Sequence, residues 1–164
     1  MTQTNQKYEL LENDTVTTPS GRVLKRIRAL VAIGSLVATG ELGGYIESEA
    51  NLDCDGDAWV YGDAQVYGDA QVYGDARVSG NARVYGNAQI EQRTDLFWLS
   101  IIGSENGTYT AFKNKDGGIL VNRGCFNGTL EEFTDAVNKR HDGKFNQEYQ
   151  LVIELTKLRL GQEV

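Results

Sequence analysis

The sequence predicts a mainly β protein built around a short left-handed parallel β-helix, with an N-terminal β cap and a C-terminal α+β domain. Three features of residues 58–90 predict the β-helix. An aliphatic residue recurs every six positions, an alanine stands two positions before each one, and Gly followed by Asp or Asn separates the repeats. The aliphatic positions are Val60, Val66, Val72, Val78, Val84 and Ile90, and the alanines are Ala58, Ala64, Ala70, Ala76, Ala82 and Ala88.

The six-residue period predicts a three-sided coil with one repeat on each side. Each turn then takes ~18 residues, and successive turns stack at the strand spacing of ~4.8 Å. The aliphatic side chains fill the interior, and the alanines fit where the section narrows. Asp and Asn are expected at the corners because they tolerate a positive φ better than other side chains do. An α-helix is excluded, since a period of 3.6 cannot keep a six-residue pattern on one face.

The repeat extends towards the N-terminus in a degenerate form, so we predict a β-helix over residues 42–91. In this register Cys54 occupies an interior aliphatic slot. Residues 1–41 are predicted to be an N-terminal β cap with strands at 8–11 and 23–31. Arg26 and Arg28 alternate with apolar residues in the second strand and share one of its faces.

Residues 92–164 are predicted to form the C-terminal α+β domain. Apolar runs at 97–102, 108–113 and 118–122 are separated by Asn-Gly and Asp-Gly pairs, which favour a three-stranded meander.

Two helices are predicted after the meander. Thr129 and Glu132 form a capping box that begins the first helix. The second helix begins at about residue 146, and its leucines at positions 151, 155 and 158 are expected to form the buried face.

Charge and composition narrow the classes of function. The formal net charge of −7 argues against general nucleic-acid binding. The first ten residues are polar, and no apolar stretch is long enough to cross a membrane, so we expect a cytoplasmic protein. Two cysteines do not make a disulfide framework.

Distinctive motifs cover most of the chain. They are KYEL at 7–10, VLKRIRAL at 23–30, LGGYIESEANL at 42–52, the DAxVYG repeats, and GCFNGTLEEF at 124–133. With these motifs the chain resembles a family of uncharacterised phage and prophage proteins of bacteria. This resemblance implies a setting in the bacterial host cytoplasm and supplies no activity. Over residues 42–90 alone the chain is also similar to hexapeptide-repeat acyltransferases, a likeness that is specific for the fold and weak for function.

The small number of histidines argues against the acyl-transfer chemistry that the resemblance to hexapeptide-repeat acyltransferases would imply. Enzymes on this scaffold use a histidine base or three histidine zinc ligands. The chain has one histidine, His141, at the end of a predicted helix outside the coils. A positively charged histidine is favoured there because the helix dipole is negative at its C-terminal end. We therefore predict no catalytic residues and no cofactor. Asp57 and Asp75 stack at one corner and could hold a hard cation between them. Because the corner position by itself explains an aspartate there, no metal site is predicted.

Outward positions of the coil carry an unusual number of aromatic and arginine side chains. Stacking in steps of 18 places Tyr67 on Tyr85 and Arg77 over Trp59 as a cation–π pair. Exposed surfaces of this composition are typical of interfaces and of sites for planar ligands, whereas the alternative is simple stabilisation between neighbouring strands. The candidate partner- or ligand-binding residues are Trp59, Tyr61, Tyr67, Tyr73, Arg77, Arg83, Tyr85, Arg26 and Arg28.

The leading hypothesis is a non-catalytic phage accessory protein, an oligomeric binding module acting on a host protein or a small host signal, with counter-defence as one such role. The expected oligomer is a homotrimer joined through a flat coil face. Two alternatives stay open. One is an acyltransferase acting on a small hydroxyl or amine, which needs a base within reach of a groove. The other is a protein that sequesters a small anionic ligand, which needs a pocket lined by Tyr and Arg.

Overall fold

A computed structural model describes residues 5–161. The first four residues of the predicted N-terminal cap and the last three of the predicted C-terminal domain lie outside this range. The chain begins with β1 (Tyr8–Thr17) and β2 (Val23–Ala29), an antiparallel pair, and β2 pairs with β3 (Leu42–Ile46). Strand β1 is longer than the predicted segment 8–11.

Six two-residue strands follow, one in every six residues. They are β4 (Trp59–Val60), β5 (Gln65–Val66), β6 (Gln71–Val72), β7 (Arg77–Val78), β8 (Arg83–Val84) and β9 (Gln89–Ile90). Each strand pairs in parallel with the one 18 residues later, so that β4 lies beside β7, β5 beside β8 and β6 beside β9. These three pairs are the faces of a three-sided coil.

The predicted interior of the coil is confirmed. All six aliphatic positions and all six alanines between residues 58 and 90 are buried. Apolar area removed from water contributes about 25 cal/mol per Å², which makes this column the main source of stability in the coil.

The prediction that Asp and Asn hold the positive φ at the corners is wrong. The residue with positive φ is the preceding glycine, for example Gly62 at 58° and Gly68 at 68°. Glycine has no Cβ to clash in this region and takes the strained position. The following Asp or Asn then keeps an ordinary backbone conformation.

The first coil departs from the 18-residue period. Leu52 bridges to Val72, and Tyr45 pairs with Gln65, so both partners are 20 residues apart. Leu52 is therefore the interior residue beneath Val72, and the prediction that Cys54 fills this slot is wrong. The first coil is thus two residues longer than the later ones, and Cys54 lies half-buried beside the core.

The N-terminal hairpin continues one face of the coil. Strand β3 pairs with β5, so β1, β2, β3, β5 and β8 form a single five-stranded sheet. Lys7 closes the first coil, since its buried ammonium donates to the carbonyls of Asp53 at 3.0 Å and Ala58 at 2.7 Å. Burial lowers the pKa of Lys7, and the neighbouring Asp53 carboxylate partly opposes that shift.

The C-terminal part contains four antiparallel strands where three were predicted. They are β10 (Leu96–Ile102), β11 (Gly107–Lys113), β12 (Ile119–Arg123) and β13 (Phe126–Thr129). Strand β13 was missed because it is short and carries Gly128 and Asn127, residues that sequence patterns associate with turns.

The two helices are α1 (Leu130–Arg140) and α2 (Gly143–Leu160). The predicted capping box is confirmed, with Thr129 accepting from the backbone of Glu132. The buried face predicted for α2 is wrong for Leu151 and Leu158, whereas Leu155 is half-buried and packs on the core. Tyr149, Val152, Ile153, Thr156 and Leu160 face the sheet, whereas the side chains of Leu151 and Leu158 are exposed.

Alkaline pH is expected to destabilise the protein through buried phenols. Burial raises the pKa of Tyr109 to about 12, although a hydrogen bond with Thr156 partly offsets the shift. The unfolded phenol titrates near 10, so the contribution of Tyr109 is fully present below pH 10 and is lost as the pH rises towards 12. Burial also raises the pKa of Tyr8 and the pKa of Tyr85.

We expect the free energy of unfolding to fall by about 1 kcal/mol per pH unit for each such tyrosine in this window. Urea titrations at several pH values measure the slope, and phenolate absorbance follows the ionisation. Tyr109→Phe is the matched control and should reduce the slope. An equal slope in that variant would contradict the assignment.

Candidate functional site

The predicted stack of Tyr67 on Tyr85 is confirmed, with ring centroids 6.0 Å apart and an interplanar angle of 23°. The expectation that this stack is exposed is wrong. Tyr67 is only 6% exposed and packs with Leu24 and Tyr45 of the N-terminal sheet. The Tyr85 hydroxyl donates to the carbonyl of Val121 at 2.7 Å, which ties the coil to the C-terminal sheet.

Trp59 is also covered by the chain itself. Its side chain is fully buried, and Tyr8 meets it edge-on with ring centroids 6.2 Å apart. Arg77 pairs with Trp59 in register, as predicted. The cation–π contact found among the described residues, however, places the Arg26 guanidinium 4.3 Å from the ring centre of Tyr45.

The basic residues of β2 bind groups of β1, β3 and the first coil. Arg26 binds Asp14 at 2.7 Å and also donates to the carbonyl of Gly43 at 2.8 Å. Arg28 binds Glu9 on the neighbouring strand. The contacts of both arginines are therefore with carboxylates and carbonyls of the chain itself.

The remaining predicted site residues are half-buried and lie apart from one another. Arg83 pairs with Gln65 as expected, and its backbone N–H donates to Thr110 at 3.2 Å. Tyr61 follows β4 and Tyr73 follows β6, on different faces of the coil. The predicted residues do not form one pocket. All of them point outwards from the coil, but they lie on its three different faces.

The acidic corner shows no arrangement for a cation. The backbone of Asp57 donates to the carbonyl of Gly74 at 3.2 Å, which gives this corner its structural role. Among residues 5–161, no group of three or more His, Cys, Asp or Glu side chains is placed to hold a metal ion.

A depression of about 580 Å³ lies against the first coil. Lys7 lines it, but its ammonium is already bound to two carbonyls. The remaining charged residues of its wall are Asp55 and Asp57, which oppose the binding of anions. Burial also raises the pKa of the Cys54 thiol at its edge, so that thiol is poorly nucleophilic.

A smaller cleft of about 190 Å³ in the C-terminal domain has the chemistry of a binding site. It lies between the turn after β10, the β12–β13 turn and the facing sides of α1 and α2. We call it the C-terminal cleft. Its lining residues include Glu105, Arg123, Cys125, Phe126, Phe133, Arg140, His141 and Tyr149.

Arg123 is held in a fixed position in the cleft wall. Its Nε donates to the Tyr149 hydroxyl at 3.1 Å, and its Nη2 donates to the carbonyl of Ile102 at 3.1 Å. A Cβ on Gly107 would stand 2.5 Å from Nη1, so that glycine leaves the space that the guanidinium occupies. Two of the five N–H groups are thus used to position the side chain.

Aromatic rings build the apolar wall of the cleft. Phe133 lies 5.4 Å from Phe126 and 5.6 Å from Tyr149 between ring centroids, both edge-on. The His141 ring lies 5.4 Å from that of Tyr149. His141 stands at the C-terminal end of α1, as predicted, and its surroundings are this cleft and not a groove of the coil.

The cleft is locally basic in an acidic protein. Arg123 and Arg140 stand against one carboxylate of the lining, that of Glu105. Neither arginine makes an ion pair among the described residues. Sequence reasoning missed the cleft because its residues come from four separate segments. The nearest signal was the GCFNGTLEEF motif, which supplies Cys125, Phe126 and Phe133.

The three-sided coil with its six-residue repeat is a β-solenoid architecture. Residues 70–81 and 76–92 match the family model described as YdcK Beta solenoid repeat, so the central coils are similar to that repeat. No curated protein matches the chain. Within residues 5–161, none of the helices is long and apolar enough to pass through a membrane.

Proposed function

We propose that the protein is a non-catalytic binding module whose C-terminal cleft takes a small ligand carrying an anionic group and a planar apolar part. The coil, in this proposal a left-handed hexapeptide β-helix, is the rigid scaffold that supports the C-terminal domain. This proposal joins two hypotheses drawn from the sequence, the binding module and the protein that sequesters a small ligand. The Tyr- and Arg-lined pocket required for sequestration lies in the C-terminal domain, away from the predicted coil surface.

One observation carries the proposal: the Arg123 guanidinium is positioned by Tyr149 and Ile102 and has no carboxylate partner among the described residues. Three N–H groups remain for a ligand. A guanidinium presents paired donors that match a carboxylate or a phosphate, and such charge-assisted hydrogen bonds are stronger than neutral ones. Because two contacts already fix the side chain, little conformational entropy is lost when a ligand binds.

The cleft also limits the size and shape of the ligand. Its volume of about 190 Å³ is smaller than that of a drug-sized pocket, which favours a single ring with its acidic group. Phe126, Phe133 and Tyr149 supply an apolar wall against which such a ring packs.

The biological setting is proposed from the resemblance to phage and prophage proteins. In that setting the module acts in the bacterial cytoplasm, where it binds a small host signal or a host protein. A homotrimer joined through the coil stays a prediction. Since the Tyr67–Tyr85 stack is covered by other parts of the chain, we propose the β6–β9 face, with its exposed Gln71, as the trimer surface.

Arg123→Met tests the proposal because methionine keeps an unbranched side chain and removes the charge. We expect the affinity for phenyl phosphate or benzoate to fall at least about tenfold, as for the loss of a charged hydrogen bond. Isothermal titration calorimetry measures the change. Arg77→Met, on the coil, is the control and should bind as the unchanged protein does. Equal binding of benzyl alcohol and phenyl phosphate would contradict an anion site.

A second candidate function, acyl transfer, is favoured by one observation: the single histidine lines the cleft beside Tyr149. A base in a cleft is what deprotonation of an acceptor hydroxyl or amine requires. This hypothesis predicts acyl-CoA-dependent activity that His141→Ala abolishes. Activity that survives His141→Ala would contradict a histidine base.

A further inference from the structure

The outer face of α2 is apolar, although its inner face already packs on the sheet. Leu151 is 67% exposed and Leu158 is 76% exposed, and the half-buried Leu155 lies between them. At 100° per residue these three leucines share one stripe of about two turns. We call it the outer leucine stripe. The inner face is a separate set, including Tyr149, Val152 and Ile153. Leu155 also packs against the domain core, whereas Leu151 and Leu158 are not part of that core.

The charged side chains beside the stripe are placed so that opposite charges would meet if two copies packed antiparallel. Glu148 and Arg159 lie on the same flank, one towards each end of the stripe. Neither forms an ion pair among the described residues, and one Glu148 oxygen accepts from the backbone of Gly103 at 2.6 Å. If a second α2 packs antiparallel on the first, Arg159 of each copy comes within about one turn of Glu148 of the other.

We propose that the outer leucine stripe is the interface of a twofold dimer, formed by antiparallel packing of α2 on α2 of a second copy. A twofold axis brings the same surface together from both copies and pairs Leu151 of one copy with Leu158 of the other. Lys144, at the beginning of the stripe, lies beyond this contact. This interface is independent of any trimer joined through the coil.

The same geometry places an unfavourable contact near the axis. Glu154 lies on the other flank of the stripe, close to its centre, so the two copies bring their Glu154 side chains together. Like charges at such a distance repel. The arrangement therefore predicts substitutions with opposite effects, which a general apolar association would not produce.

Sedimentation velocity over a range of protein concentrations tests the interface. Leu151→Gln combined with Leu158→Gln should raise the dimer dissociation constant at least about a hundredfold, since four leucines leave one interface. The particle mass should halve, whether the assembly is a dimer or a trimer paired through α2. Leu36→Gln, at an exposed leucine outside α2, is the control and should leave the mass unchanged.

Charge variants separate the proposed geometry from other contacts. Arg159→Glu should weaken the dimer about tenfold, and adding Glu148→Arg to it should restore affinity. Glu154→Gln should tighten the dimer several-fold. Circular dichroism checks that each variant is folded.

Three results would overturn the proposal. The first is a mass that the leucine pair does not change. The second is loss of affinity in Glu154→Gln. The third is binding of α2 to phosphatidylglycerol vesicles with no self-association, which would make the stripe a membrane-surface face. None of these results depends on whether the C-terminal cleft binds an anion, so the two proposals fail separately.

Discussion

Val72→Asp is expected to cost at least about 4 kcal/mol and to abolish cooperative folding of the coil. Val72 is buried between Leu52 and Ile90 of the adjacent coils. An aspartate there would place a carboxylate in an apolar column with no hydrogen-bond donor, which is among the most destabilising single changes known in proteins. Urea denaturation followed by circular dichroism measures the loss.

Gln71→Asp is the matched control because it introduces the same charge one residue earlier on the same strand. Gln71 points to the opposite side and is exposed, so its replacement should change the free energy of unfolding by no more than about 0.5 kcal/mol. Equal losses in the two variants would show that the sides of the coil have been assigned in the wrong register.

Gly43→Ala is expected to cost about 3 kcal/mol, at the upper end for overpacking. An added Cβ would lie 2.6 Å from both the Ile27 side chain and the backbone carbonyl of Val60, and 2.8 Å from the Trp59 ring. The carbonyl belongs to the coil and cannot move without breaking a strand pair. The substitution should therefore separate β3 from the first coil. Thermal unfolding monitored by Trp fluorescence measures the effect.

Leu42→Ala on the same strand is the control for Gly43→Ala. Leu42 is exposed, so truncating it should cost less than about 1 kcal/mol. If Gly43→Ala were as mild as Leu42→Ala, the close packing of β3 on the coil would be contradicted.

The fate of the aromatic residues shows where sequence reasoning stopped. The period of six fixes which side chains point outwards from the coil, and it correctly places Tyr67 against Tyr85. Outward is not the same as exposed. Leu24 and Val121 reach Tyr67 and Tyr85 from segments far away in the sequence, and nothing in the repeat indicates that they do.

The leucines of α2 were predicted to be buried, and two of them are exposed. Leu151, Leu155 and Leu158 have the spacing of a buried helix face, yet the sheet is packed by Tyr149, Val152 and Ile153. Both sets lie at helical spacing, so periodicity alone cannot choose between them. The Phe133 and His141 rings, which pack against Tyr149 from α1 and its C-terminal end, decide which side turns inwards.

Periodicity alone predicts the interior of the coil between residues 58 and 90 and its 18-residue turn. An interior column is a local, repeated constraint, so each aliphatic residue and alanine carries its own evidence. Tertiary structure alone decided the course of the first coil, where Leu52 replaces Cys54, and the assembly of the C-terminal cleft. The cleft joins Arg123 to Tyr149 and His141 from separate elements, and contacts between distant segments depend on packing that no local pattern records.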